Sequence, residues 1–170
     1  MRRISLAPTS LQRLGAHHRR HAARLRTAAR WLGFADDARD EAVRRCFRAI
    51  AEDVPEDSAA GWSALMRRLA RMPVEGPAAA PASAPEAALL LHLRRLAPGD
   101  RAVFALAELG GFDATALARA IGAPPAAGEA TIVGLRRAFA GDPAIVAQGG
   151  PAAVLRAALD DDRPPPDWQA

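Results

Sequence analysis

Apolar residues recur in this sequence at intervals of three and four, and no stretch alternates at two strongly enough to mark a strand. That periodicity restricts the chain to helices. In DARDEAVRRCFRAI, residues 37–50, Ala42, Val43, Cys46, Phe47 and Ile50 define one face to bury. The opposite face carries Arg44, Arg45 and Arg48, with Asp40 and Glu41 about one turn earlier, the favourable order for ion pairs along a helix. A helix of this kind cannot bury its stripe alone, so the pattern implies a bundle.

Residues 10–32 predict a first helix, started by Thr9 or Ser10 and stopped at Gly33, with Leu11, Leu14, His18, His21, Leu25, Ala29 and Leu32 as its stripe. A second helix covers 36–52, with Asp36 as its cap. A third follows Pro55, capped by Asp57 or Ser58, with Trp62, Leu65, Met66 and Leu69 on one side. The segment PVEGPAAAPASAP, residues 73–85, has four prolines in thirteen residues and reads as an extended, moderately stiff linker.

Beyond it, ALLLHLRRL is a helix ended by Pro98, RAVFALAEL stops at Gly110 and Gly111, and Asp113 or Thr115 caps a short helix to Ile121. GAPPAAGEA is loop-like, TIVGLRRAFA is a helix weakened by Gly134, and residues 151–159 form one more. The tail DDDRPPPDWQA is charged and proline-rich, with Trp168 free to dock or to stay loose. The expected fold is therefore all-α, as two small helical domains: 1–72, then a Pro/Ala-rich linker at 73–85, then 86–145, followed by a short helix and tail at 146–170.

Charge divides at the same place. All 23 basic residues are arginine. Residues 1–74 hold 15 of them against 8 acids, net +7, and residues 75–170 hold 8 against 11, net −3. The halves thus face different kinds of partner. No run of eighteen apolar residues is present, and MRRISLAPTSLQRL lacks the apolar stretch and cleavage site of a leader, so a cytoplasmic protein without membrane contact is expected. Cys46 has no second cysteine, which excludes an internal disulfide and a cysteine-rich zinc site.

The text LRRLAPGDRAVFALAELGGFDATALARAIGAP, residues 93–124, with its L-x-x-L-x-P-x-x-R opening and its ALARAIG, resembles region 4 of bacterial extracytoplasmic-function sigma factors. HHRRHAARLRTAARWLG, DARDEAVRRCFRAI and GWSALMRRLARM resemble region 2 of that family, in the family's order. The resemblance implies that the first domain grips the clamp of the RNA polymerase core and recognises and melts the promoter −10 element. It implies that the second reads the −35 element through a helix-turn-helix and touches the polymerase flap. Promoter DNA and an anti-sigma or other regulatory protein are then the further partners.

Two departures qualify this. The helix of Arg44, Arg45 and Arg48 corresponds to the family's clamp helix, where acidic and glutamine positions usually stand. In region 4, eight residues, APPAAGEA, separate Gly122 from Thr131, an insertion relative to the usual turn, and only Arg136 and Arg137 remain to meet DNA. Region 4 is then a scaffold without the reading function. A sigma-like module that binds a regulatory protein is the competing reading, with an apolar groove from Leu106, Leu109, Leu117 and Ile121 and with the helix at 37–50 docking an acidic partner.

By the resemblance, Trp62, Arg67, Arg68 and Arg71 lie on the helix that meets the −10 element. Trp62 either stacks on an unpaired base or fills the core, while the three arginines lie off the apolar stripe and suit DNA phosphates. Arg13, Arg19, Arg20, Arg24, Arg26 and Arg30 form either a nucleic-acid or polymerase surface or an ordinary solvated face, since residues 2–30 hold eight arginines and no acid. His17, His18 and His21 have no sequence-near third ligand, so no metal is expected, and no cofactor motif is present. Without a nucleophile elbow, a P-loop or opposed carboxylates, the expectation is a protein that is not an enzyme.

Overall fold

The computed structural model describes residues 8–74, 81 and 83–161, and the protein over that span is all-α. Helices α1 (Pro8–Leu32), α2 (Asp36–Ile50) and α3 (Ser58–Ala70) precede the proline-rich segment. After it come α4 (Ala84–Arg95), α5 (Pro98–Phe104), a π-helical turn (Ala105–Leu109), α6 (Ala114–Ile121), α7 (Pro125–Phe139), α8 (Pro143–Ala147) and α9 (Pro151–Asp161). Most of the predicted linker, and the tail with Trp168, lie outside the described residues.

Caps set many of the boundaries. Asp57 accepts from Ala60 N at 2.7 Å to start α3, and Asp113 does the same for Ala116 N at 2.7 Å in α6. Ser83 accepts from Glu86 N at 3.3 Å, so α4 begins two residues earlier than Glu86. Asp36 is not a cap. Ala35 holds that position, and Asp36 sits in the first turn of α2, where it pairs with Arg39 and faces the positive end of the helix dipole.

The largest local correction concerns residues 122–130. Only the first three of them are a loop: α7 begins at Pro125, where the fixed φ of proline suits a first turn and its missing N–H leaves nothing unpaired. Gly122, at φ +71°, terminates α6, so only Gly122, Ala123 and Pro124 join α6 to α7. Six of the eight residues between Gly122 and Thr131 thus belong to α7. Gly128 lies against α6, where a Cβ would sit 3.4 Å from Ala114 O and 3.6 Å from Leu117 Cδ2, within ordinary van der Waals contact. Helix α8, only five residues long, was not expected; Asp142 starts it by accepting from Ala144 N at 3.0 Å.

The helices on each side of the proline-rich segment pack most heavily among themselves, and the two groups also share buried apolar residues. One continuous apolar cluster runs from Leu25, Trp31, Leu65 and Met66 through Leu89 and Phe104 to Leu117, Phe139 and Leu155. Helix α1 explains this. It packs on α2 and α3 and also on α4, α9 and the π-helical turn. Burial on α1 accordingly extends beyond the predicted stripe to His17, Thr27, Ala28 and Trp31, whereas Leu11 stays 54% exposed. Polar contacts tie the same seam. Trp62 Nε1 donates to Gly110 O at 2.9 Å, Arg71 Nη2 to Ala120 O at 3.1 Å, and Arg101 Nη1 to Leu32 O at 3.2 Å, while Arg30 pairs with Glu86.

Candidate functional site

Eight of the arginines singled out in the sequence fall into three surface groups, and each group holds one carboxylate. The first is on α1, where Arg13, Arg19 and Arg20 line a hollow with Glu56 and His17. Arg26 and Arg30 do not join it: Arg26 pairs with Asp40 at 2.8 Å, and Arg30 with Glu86. Arg24 lies over the Trp62 ring, 4.6 Å from its centroid.

The second group is on α2. Arg44, Arg45 and Arg48 are all exposed and all turn to Glu41, at 3.9, 3.2 and 3.2 Å. The hydrogen bond from Arg45, with the charges of Arg48, Arg45 and Arg44 behind it, holds the Glu41 carboxyl below its usual range. Three positive charges facing one negative leave this face strongly cationic. An apolar hollow floored by Phe34, Ala38, Ala42 and Met72 opens beside Arg45.

The third group straddles the seam. Arg67 of α3, Arg71 at the C-terminal cap of α3 and Arg119 of α6 line one groove, together with Asp100, Val103 and Leu106. Arg119 had not been singled out in the sequence, where its ALARAIG setting pointed only to a scaffold helix. Arg68 is exposed on α3 but does not line the groove.

Trp62 is a core residue, 8% exposed, with its N–H given to Gly110 O, a ring face covered by Arg24, and His21 at 5.5 Å between ring centroids. It offers no face to a base in this arrangement. Leu106, Leu109 and Leu117 are likewise core residues, so together with Ile121, at 37% exposed, they do not form an open apolar groove. On α7, Glu108 holds Arg136 at 2.7 Å, and Arg137 is exposed.

The histidines are structural. His17 Nε2 donates to Pro55 O at 2.9 Å, and His21 Nε2 to Ser58 O at 3.1 Å, pinning the α2–α3 connection to α1. Burial lowers the pKa of His21, and His17, Arg24 and Arg20 act in the same direction. Among the described residues, no group of three or more His, Cys, Asp or Glu is placed to hold a metal ion. His92 has a partner the sequence did not reveal: Asp142, at 3.0 Å, whose carboxyl is held below its usual range chiefly by that hydrogen bond. Cys46 is buried, and burial pushes its thiol up to about 12, which makes it inert near neutral pH.

Comparison with protein-family models, with curated proteins and with solved structures finds no match to this chain. No helix among the described residues is long and apolar enough to cross a membrane.

Proposed function

We propose that this chain is a divergent sigma-type regulator of transcription initiation, a non-enzymatic cytoplasmic protein that meets the RNA polymerase core and promoter DNA, with its DNA contacts made to phosphates. The observation that carries this reading is the joint of α6 and α7, where a three-residue turn closed by a left-handed glycine connects two packed helices, as a helix-turn-helix requires. The cationic first half supports it, because sequence-independent affinity for DNA comes from neutralised phosphates. Base reading is not part of the proposal. The exposed positions along α7 include Ala126, Glu129, Ala130, Val133 and Gly134, which supply no donor for a base edge other than the nearby Arg137.

The test is a pull-down of core polymerase by the full chain at low salt, followed by single-round transcription. Retention of the polymerase and transcripts that depend on the added chain are expected. Absence of any association at low salt defeats the reading.

A second reading is favoured by α2. Its three exposed arginines and the adjoining apolar hollow suit a sigma-like interaction module that docks an acidic regulatory protein and has lost DNA reading. Salt-dependent DNA binding that is lost on replacing Arg67, Arg68 and Arg71 counts against that reading.

A further inference from the structure

We infer that the groove between α3, α5 and α6 is a binding site for a nucleoside polyphosphate, with the phosphates held by Arg67, Arg71 and Arg119 and the nucleoside laid against the aliphatic floor. The groove draws its cations from both sides of the proline-rich segment, and three guanidinium groups line it against one carboxylate, that of Asp100. Arg67 and Arg119 form no ion pair among the described residues, unlike Arg136, which Glu108 holds. Arg71 uses one N–H on Ala120 O at 3.1 Å, which steers its guanidinium to the seam and leaves its other donors for a ligand. Planar forked donors of this kind match phosphate oxygens in pairs.

The rest of the lining selects among phosphate ligands. Ala70, Ala102 and the part-exposed Ile121, with the buried Val103 and Leu106 behind them, contribute an apolar surface that an inorganic anion does not use. The volume, about 530 Å³, lies in the ordinary range for small-molecule sites. A single strand of nucleic acid is a poorer fit, because no aromatic ring lines the groove on which successive bases would stack. Since the groove exists only while the two helix groups are packed together, an occupant stabilises that packed arrangement by mass action. This inference does not depend on polymerase or promoter association.

Calorimetric titration of the full chain with ADP, adenosine and inorganic pyrophosphate tests it. ADP is expected to bind at least about tenfold more tightly than either fragment, and Arg67→Ala and Arg119→Ala each to weaken it by about tenfold or more. Arg119→Lys is expected to recover part of the loss, and Arg137→Ala to change nothing. Unliganded melting temperatures that match the parent show that the variants are folded. The inference is overturned by no ADP binding up to about 1 mM, by undiminished binding in the two alanine variants, or by pyrophosphate equalling ADP. Tighter binding of a twelve-nucleotide single strand, lost in the same variants, assigns the groove to nucleic acid instead and equally overturns it.

Discussion

The indole N–H of Trp62 donates to the carbonyl of Gly110 across 2.9 Å, joining α3 to the end of the π-helical turn, 48 residues away in the chain. Trp62 is 8% exposed, so the bond is formed largely out of water. Trp62→Phe keeps most of the packing but leaves that carbonyl unpaired and is expected to cost about 1 kcal/mol. Trp62→Ala adds a cavity and is expected to cost about 3–5 kcal/mol. Denaturant titration checks both values. Because the apolar cluster is continuous, the parent is expected to unfold in a single transition seen alike by tryptophan fluorescence and circular dichroism.

The Glu41 carboxyl is expected to titrate below the usual value for glutamate, and Arg45→Ala to raise it more than Arg44→Ala does, since the Arg45 hydrogen bond is the leading cause. The sign follows directly: a carboxyl with a lowered folded pKa contributes stability above its unfolded pKa and loses that contribution as pH falls through the folded one. Side-chain carboxyl NMR across an acid titration measures the midpoint. Equal midpoints in the parent and Arg45→Ala would remove the assigned cause.

His21 makes the fold sensitive to acid near neutrality. Its folded pKa lies below the ordinary 6.5, chiefly through burial, while His17, Arg24 and Arg20 add repulsion and the Ser58 carbonyl opposes the shift. The unfolded chain therefore binds the proton first, and stability falls as pH drops through 6.5 towards the folded value. His18, lowered by burial and by Arg19, contributes in the same direction. Urea midpoints are expected to decline from pH 7.5 to 5.5, and His21→Gln to flatten that decline. A midpoint independent of pH in the parent would contradict the argument.

Two glycines inside helices are expected to respond with opposite signs. A Cβ on Gly134 meets nothing within 4 Å, so Gly134→Ala should stabilise by about 0.5–1 kcal/mol through the lower freedom of the unfolded chain. A Cβ on Gly61 would lie 2.4 Å from the His17 ring, and Gly61→Ala should destabilise by about 1–3 kcal/mol. Thermal melts of the two variants, read side by side, test the packing of α3 on α1. Stabilisation by both would mean that the two helices do not meet at Gly61 and His17.

The starts of α3 and α6 were legible because Asp57 and Asp113 act on amides three residues ahead, within the reach of local pattern. The start of α7 was not. Pro124 and Pro125 resemble a loop signal until the second proline is seen to occupy a first turn, and Gly128 looks like a breaker until α6 is found against it. Likewise, Arg67, Arg68 and Arg71 could be placed off the apolar stripe from spacing alone, yet only Arg67 and Arg71 share a groove, and they share it with Arg119, 48 residues beyond Arg71.

Helical class, most helix boundaries and the charge division between the halves follow from interactions among residues within about one turn of each other, and these are written in order along the chain. Which helices share a core was decided only in three dimensions. Helix α1 buries residues outside its own stripe, Thr27 and Trp31 among them, and it packs against helices from both sides of the proline-rich segment. Pairs such as Trp62 with Gly110, His92 with Asp142 and Arg30 with Glu86 leave no mark on local periodicity, because each partner alone has the spacing of an ordinary helix residue or turn.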